Sequence, residues 1–232
     1  MKQFLPLCCL LLLLTGCSKS TVPGPTDAEK GSIRFDCNIS AQVTTIQDGN
    51  TKADQATREL PASCLPYANQ MKLHLTGTST ATEYHYENMA AYDQPLLDPD
   101  DYTAHFTYGD PEAEGPQAAY FEGKTTCTVA ARQTVTQPVT HALANSLYTL
   151  EFSEWFKKYY TSCQIQITTS SGYQSGHTIT SVTDPVPIFV KPNSTLYMSG
   201  TAVKTNGAEV TFPKTEIGTT LARTWHTIVV DA

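Results

Sequence analysis

The sequence predicts an all-β fold, arranged as two tandem antiparallel β-sandwich domains with one short helix in the second. Short stretches in which apolar and polar residues alternate recur along the chain, which is typical of half-buried strands. Turn signals separate these stretches, and the strand–helix alternation of parallel α/β sheets does not occur. The Thr-rich, Lys-poor composition also suits exposed strand faces better than helix faces.

The first half of the chain contains several alternating segments. A strand is predicted from Gly31 to Ile39, because Ile33 and Phe35 alternate with Arg34 and other polar residues. The segments 71–75 and 102–108 alternate in the same way. The segment 54–60 is predicted as a single helical turn.

The second half continues the pattern and contains the predicted helix. A strand over 144–152 leads to Ser153, a favourable N-cap, and a helix is predicted over Glu154–Tyr159. Its aromatic residues are expected to attach it to a sheet: Trp155, Tyr159 and Tyr160. Asn206-Gly207 predicts a hairpin turn between two later strands.

The predicted organisation has four parts. Residues 1–16 form a lipoprotein signal peptide, and residues 17–30 form a flexible tether that contains Pro23 and Pro25. The N-terminal β-sandwich spans 31–140 and the C-terminal one spans 141–232. One extended strand is allowed to cross the boundary between them.

The leading segment predicts export. Lys2 precedes an apolar run from Phe4 to Leu14, which is the arrangement of a secretory signal. This run is shorter than the about 20 residues that a membrane-spanning helix needs. The following residues, Leu14-Thr15-Gly16-Cys17, resemble the lipobox of bacterial lipoproteins. That resemblance implies cleavage between Gly16 and Cys17 and lipid attachment, palmitate included, to Cys17.

The net charge of the chain limits which classes of partner it is expected to bind. The chain carries 15 Lys and Arg against 22 Asp and Glu, a formal net charge of −7. An acidic chain repels phosphate backbones, so we do not expect a nucleic acid to be a partner. The predicted location is the outer membrane, anchored by the lipid on Cys17 and displayed at the cell surface. The sequence leaves open which leaflet carries the protein.

Seven cysteines are present, of which Cys8 and Cys9 leave with the signal peptide and Cys17 takes the lipid. An oxidising compartment allows disulfides among the remaining four, and three pairings stay open. The simpler interpretation is that most of them are small apolar residues in strands. Their spacing does not indicate zinc binding. The four residues are Cys37, Cys64, Cys127 and Cys163.

The sequence offers no catalytic motif, so the protein is predicted not to be an enzyme and to hold no cofactor and no metal. Ser175 lies in Gly172-Tyr173-Gln174-Ser175-Gly176, in which the spacing differs from that of a nucleophile elbow. The six histidines show no ligand spacing. An acidic corner leaves calcium as an alternative to a polar turn, although the full calcium-loop pattern is missing. The corner consists of Asp93, Asp98, Asp100 and Asp101.

Twelve tyrosines and two tryptophans raise the possibility of sugar binding, since an exposed aromatic ring can stack on a sugar. The tyrosines of the strands fit the alternation and are expected to pack at the core instead. These tyrosines are Tyr84, Tyr86, Tyr102 and Tyr108.

Several short motifs together resemble the DUF4493 lipoproteins of Bacteroides-type bacteria. Gly31-Ser32-Ile33-Arg34-Phe35 is similar to the first strand of that family, and Asp101-Tyr102-Thr103 with Tyr108-Gly109-Asp110 is similar to its corner and tyrosine strand. Tyr120-Phe121-Glu122-Gly123 and Ala144-Asn145 are similar to later elements. Asp100-Asp101 depart from the pattern, which usually has a glycine before the tyrosine.

The resemblance implies a fimbrillin-like architecture and no assigned activity. We therefore expect a lipid-anchored surface protein that is adhesin-like or a fimbrial or pilus accessory subunit. A glycan-binding lipoprotein of a polysaccharide uptake system is the alternative. Expected partners are the outer membrane, other subunits that associate by strand addition, and a host or glycan ligand. The C-terminal stretch Trp225–Val230 could serve as a donated strand, although pairing within its own sheet is favoured.

Overall fold

The structure is a computed structural model that describes residues 27–48, 56–179 and 186–231. The predicted signal peptide, the cleavage site at Gly16, the lipid site at Cys17 and most of the tether lie outside the described residues. Within the part of the chain described, no helix combines the length and the apolar character needed to cross a bilayer.

The described residues are mostly strand, with one short α-helix, as the sequence predicts. The helix is α1 (Glu154–Tyr159). The strands are β1 (Ser32–Ile39), β2 (Gln42–Asp48), β3 (Thr57–Glu59), β4 (Lys72–Gly77), β5 (Glu83–Tyr86), β6 (Asp100–Tyr108), β7 (Phe121–Val129), β8 (Thr134–Leu143), β9 (Ser146–Phe152), β10 (Tyr160–Thr169), β11 (Gln174–His177), β12 (Ile188–Val190), β13 (Thr195–Lys204), β14 (Glu209–Thr219) and β15 (Thr224–Val230).

These strands form three sheets. The six-stranded sheet has the order β1-β8-β7-β6-β4-β5, the four-stranded sheet has the order β11-β10-β13-β14, and the five-stranded sheet has the order β12-β9-β15-β2-β3. The strand β8 crosses the predicted boundary at residue 140, and β2 and β3 join a sheet with strands of the second half. The two-domain division itself stays a prediction.

The expectation of purely antiparallel sheets is wrong at three strand pairs. β1 pairs with β8 in parallel, and β15 pairs in parallel with both β2 and β9. Each of the two segments β1–β2 and β8–β9 passes from the six-stranded to the five-stranded sheet within a few residues. The parallel pairs join strands far apart in sequence, as long crossover connections allow.

The C-terminal strand pairs within its own sheet, which was the favoured prediction. Trp225 lies opposite Leu147 of β9 on one side and Thr45 of β2 on the other. The Nε1 of Trp225 donates a hydrogen bond of 2.9 Å to Thr149 Oγ1, and the guanidinium of Arg58 lies 3.8 Å from the indole centroid. The strand is therefore an interior strand of the sheet.

Two buried clusters hold the sheets together. The first contains side chains of the six-stranded sheet together with Leu147, Phe189 and Trp225 of the five-stranded sheet. The second contains Ile188 and Ile228 of the five-stranded sheet together with side chains of the four-stranded sheet. Because neighbouring residues of a strand point to opposite faces, the five-stranded sheet contributes to both cores and lies between the other two sheets.

The helix α1 has the predicted bounds and the predicted cap, since Ser153 Oγ accepts a hydrogen bond of 3.0 Å from the backbone N–H of Phe156. The residue that attaches it is Phe156, which is fully buried between Phe152 and Tyr160. The ring centroids of these neighbours lie 4.9 and 4.4 Å away. The expectation that Trp155 and Tyr159 attach the helix is wrong, because both are exposed.

Two local predictions have opposite outcomes. The hairpin turn at Asn206-Gly207 is confirmed between β13 and β14. Gly207 adopts a φ of +85°, which residues with a side chain rarely adopt. The helical turn predicted over 54–60 is wrong in its described part, because Thr57–Glu59 forms strand β3 beside β2. Pairing with a neighbouring strand outweighs the weak helical preference of such a short segment.

The four described cysteines are free thiols. Cys127 and Cys163 are buried within strands, and Cys37 and Cys64 are half-buried beside the first core. Burial raises the pKa of the Cys37 thiol to about 11. The placement of Cys37, Cys127 and Cys163 in strands agrees with their interpretation as small apolar residues.

Candidate functional site

The acidic corner forms internal hydrogen bonds. The carboxylate of Asp100 accepts hydrogen bonds of 2.9 Å from the backbone N–H and the hydroxyl of Thr80, and another from the backbone N–H of Ser79. These bonds, led by that from the Thr80 backbone, lower the pKa of Asp100 to about 2. Asp101 accepts a hydrogen bond of 2.5 Å from Thr128. Asp100 therefore orders the turn at Ser79 and Thr80, whereas Asp100 and Asp101 themselves begin strand β6 and do not form the predicted polar turn.

Ser175 lies on strand β11 and hydrogen-bonds to two neighbours. Its hydroxyl lies 2.9 Å from His177 Nε2 and also bonds to the hydroxyl of the buried Tyr148. Burial lowers the pKa of His177, and burial raises the pKa of Tyr148. The three groups form a polar contact at the edge of the second core. The hydroxyl of Ser175 therefore has a structural role in these hydrogen bonds.

The strand tyrosines pack at the first core, as predicted. Tyr102 is 1% exposed, and its hydroxyl donates a hydrogen bond of 3.0 Å to the backbone carbonyl of Asp98. Burial raises its pKa to about 12. Tyr84, Tyr86 and Tyr108 are half-buried against the same cluster. These rings therefore do not form a row for stacking on a ligand.

Exposed aromatic rings occur instead on the helix α1. Trp155 is 57% exposed and Tyr159 is 47% exposed. Their spacing of four residues makes them neighbours on the helix surface, whereas Phe156 is buried. Their ring planes are within 11° of parallel and their centroids are 6.0 Å apart.

A cation completes this surface. Lys158 Nζ lies 4.9 Å from the centroid of the Trp155 ring and 5.8 Å from that of Tyr159. The neighbouring Lys157 forms an ion pair of 2.9 Å with Glu154 along the helix. We call Trp155, Lys158 and Tyr159 the aromatic surface of α1.

The aromatic surface of α1 has the properties of a contact site. Indole and phenol rings bury large areas and carry polar groups that can reach hydrogen-bond partners. Lysine adds a positive charge that can contact an aromatic or anionic group. Sequence analysis identified Trp155 and Tyr159 but assigned them to packing, and it did not consider Lys158. Helical spacing alone does not show which aromatic residues of the segment face the core.

A second cluster was missed by the sequence analysis. The structure brings together the side chains of His74, Glu83 and His85, whose ligand-type atoms all lie within 4.8 Å of one another. The signal that could have found them is the alternation of 71–75 beside that of 83–86. Glu83 and His85 then share one face of a strand, and a hairpin places His74 beside them.

Comparisons with known proteins agree with the predicted family. The model of the family described as a domain of unknown function (DUF4493) matches residues 29–232. Among curated proteins, none is similar enough in sequence to count as a relative.

Several solved structures are weakly similar. A protein provisionally assigned to cell adhesion from Bacteroides eggerthii gives a TM-score of 0.45 at 8% identity, covering 91% of this chain and 88% of its own. A fimbrial protein from Bacteroides ovatus gives 0.41 at 9% identity, covering 87% and 49%. A provisionally assigned polysaccharide-binding protein from Bacteroides thetaiotaomicron gives 0.40 at 9%, covering 86% and 90%. These values are too low to assign a function to this chain.

Proposed function

The chain belongs to the DUF4493 family, and from its own residues we propose that it is a lipid-anchored surface protein that acts as an adhesin. The observation that carries this proposal is the aromatic surface of α1. Trp155 is 57% and Tyr159 47% exposed, on a helix in which only Phe156 is buried. The proposed activity is binding, without turnover of the ligand.

Exposed paired aromatics favour recognition for a physical reason. Apolar surface that stays in water forgoes a hydrophobic stabilisation of about 25 cal/mol per Å², which a partner can recover when it covers the ring. Tryptophan and tyrosine are accordingly enriched among the residues that dominate binding energy. Neither Trp155 nor Tyr159 belongs to the buried set of either core.

Anchoring through Cys17 supports the proposed location. The leader carries a cation, a short apolar run and Leu14-Thr15-Gly16-Cys17 in the order of a lipoprotein signal. Several acyl chains on one cysteine would hold the protein at the membrane, since each buried methylene contributes about 0.8 kcal/mol. The segment that follows would then place the folded part above the outer-membrane surface.

A role as a fimbrial or pilus accessory subunit would need strand addition. Donation of β15 would require breaking its pairing with both β2 and β9. The long edge strand β14 is a better acceptor, but it carries Pro213 and Lys214, which discourage edge-to-edge pairing. We therefore place assembly by strand addition second to adhesion.

Glycan binding for polysaccharide uptake is the alternative function. The nearly parallel rings of Trp155 and Tyr159 favour it, because the apolar faces of sugar rings stack on aromatic faces. An adhesin and an uptake protein could both use this surface. They differ in ligand: the first recognises a host or matrix surface, and the second recognises a polysaccharide.

The proposal is tested with the soluble fragment Ser18–Ala232, which contains all described residues, on arrays of glycans and matrix proteins. We expect binding that the double variant Trp155→Ala/Tyr159→Ala weakens at least tenfold. Tyr67→Ala is the matched control, because Tyr67 is an isolated tyrosine that is 75% exposed. Matrix-protein binding supports the adhesin, and polysaccharide binding alone supports the uptake protein. Binding that the double variant leaves unchanged would remove the aromatic surface from the proposal.

A further inference from the structure

Three histidines lie side by side on the six-stranded sheet. His74 of β4 is directly opposite His85 of β5 and directly opposite His105 of β6. The residues that flank them in these strands, such as Leu73, Leu75 and Phe106, point into the first core. The histidines therefore line the outer face of the sheet, where a solvent ion can reach them.

A carboxylate joins two of these histidines. Glu83 precedes His85 by two residues, so both side chains leave β5 on the same face. Glu83 Oε2 lies 3.4 Å from His85 Nε2 and 3.7 Å from His74 Nε2. The two imidazole rings lie 4.1 Å apart, centroid to centroid.

These separations match the coordination of a transition metal. A tetrahedral Zn²⁺ holds nitrogen and oxygen ligands at about 2.0–2.2 Å, so that neighbouring ligand atoms lie about 3.4 Å apart. Two imidazoles and a carboxylate are also a ligand set that suits zinc. We propose that His74, Glu83 and His85 form a surface site for Zn²⁺ or a similar divalent transition metal, with one coordination position open.

Binding of a metal ion would require two side-chain movements. The two ring planes are 22° from parallel, and they must turn apart for both Nε2 lone pairs to point at one ion. His74 Nε2 also gives up its long contact of 3.4 Å with Thr76 Oγ1. These are rotations of side chains on the outer face of paired strands, so the backbone can stay in place.

The surrounding charges favour a cation at this position. Glu83 supplies a negative charge at the centre of the cluster. The next cation and anion on the face, Lys72 and Glu87, form an ion pair of 3.1 Å with each other. Lys124 is opposite His105, on the far side of that histidine from His74. Among the described residues, no lysine of this face therefore neutralises Glu83, and its negative charge can attract a metal ion.

His105 differs from the other two histidines. It is in register with His74, but it is outside the group whose ligand atoms lie within 4.8 Å of one another. The proposed ligands are therefore three, and His105 serves as a matched control on the same face of the sheet.

The test uses the full chain in mild detergent, without a histidine tag, reduced and treated with a chelator that is then removed. Isothermal titration with Zn²⁺ is expected to give one site per chain. His85→Ala and Glu83→Gln should each weaken binding at least tenfold, since loss of even a supporting residue commonly costs about 10–100-fold. His105→Ala and Glu87→Gln should change the affinity by less than about threefold.

Two further measurements make the result decisive. Co²⁺ should give the visible absorption of a four-coordinate site in the parent chain and lose it in His74→Ala/His85→Ala. This double variant keeps every cysteine, so binding to thiols would persist in it. Thermal unfolding confirms that the variants fold. The proposal would be overturned if the parent chain does not bind zinc or if the double variant binds it as tightly as the parent. It would also be overturned if His105→Ala weakens binding as much as His85→Ala does.

Discussion

The imidazole of His141 lies directly against the backbone of Gly123. A Cβ added at Gly123 would lie 2.2 Å from His141 Nδ1, closer than any real contact of that kind. Both residues face the first core, where the ring of Phe106 lies 4.8 Å from His141, centroid to centroid. The glycine of the motif Tyr120-Phe121-Glu122-Gly123 is thus required by a side chain from the next strand.

Gly123→Ala should therefore destabilise the protein. The added methyl must displace a fully buried histidine within a packed core, a change that typically costs about 1–3 kcal/mol. Urea unfolding followed by tryptophan fluorescence measures the loss. Gly176→Ala is the control, because nothing lies within 4 Å of a Cβ at Gly176. Equal stability of the two variants would contradict the contact.

The stability should fall in mild acid because of His141. Burial lowers the pKa of this histidine from 6.5 to about 4, and neither ring nitrogen has a hydrogen-bond partner among the described residues. Between these pH values the unfolded chain binds a proton that the folded chain excludes. The contribution of His141 is present above pH 6.5 and is lost as the pH falls toward 4, by roughly 3 kcal/mol in all.

His141→Leu isolates this effect. The variant lacks the titrating group, so its free energy of unfolding should depend less on pH between 6.5 and 4 than that of the parent. Urea unfolding at several pH values in this window gives the two slopes. Parallel slopes would show that His141 is protonated as readily in the folded state as in the unfolded chain.

Glu114 links the loop after β6 to the segments that follow β10 and β12. Its carboxylate accepts a hydrogen bond of 3.0 Å from the backbone N–H of Lys191 and another from the hydroxyl of Ser171. Glu114→Ala should cost about 1.5–3 kcal/mol, the range for bonds to a charged group. Glu112→Ala removes an exposed ion pair of 2.5 Å with Lys191 and should cost less than Glu114→Ala, because solvent screens an exposed pair. Thermal unfolding of both variants distinguishes the two roles.

Two neighbouring aromatics of α1 should respond in opposite ways. Phe156→Ala empties a fully buried position and should cost about 3–5 kcal/mol. Trp155→Ala removes an exposed ring and should change the free energy of unfolding by no more than about 0.5 kcal/mol. Chemical unfolding of the two variants provides the comparison. A large loss in Trp155→Ala would mean that the indole packs against the protein.

Cys17→Ala should release the protein from membranes. The thiol is the proposed lipid attachment point, and the leader would no longer be followed by a residue that can be acylated. Membrane fractionation with an antibody to the protein measures the distribution. Cys9→Ala, within the apolar run of the leader, is the matched control and should leave the protein in the membrane fraction. Retention of Cys17→Ala in that fraction would refute the anchor.

Several elements of the fold could be predicted because they are determined by residues that are adjacent in sequence. The alternation in 33–39, the N-cap at Ser153 and the Asn206-Gly207 turn depend on a few adjacent residues, and each is found in the structure. The segment 54–60 was mispredicted because its conformation depends on pairing with β2. The parallel pairs of β1 and β15 join distant segments and leave no local signal.

The sequence by itself determined the strand-rich class, the bounds of α1 and the family, because these follow from periodicity, capping and short motifs. Only the tertiary structure decided that Phe156 is buried and that Trp155 and Tyr159 are exposed, since Trp155 and Tyr159 have the same four-residue spacing as Phe156 and Tyr160. It alone placed His74 beside Glu83 and His85, and His141 against Gly123. These contacts depend on strand register, which sets distances between side chains that are remote in sequence.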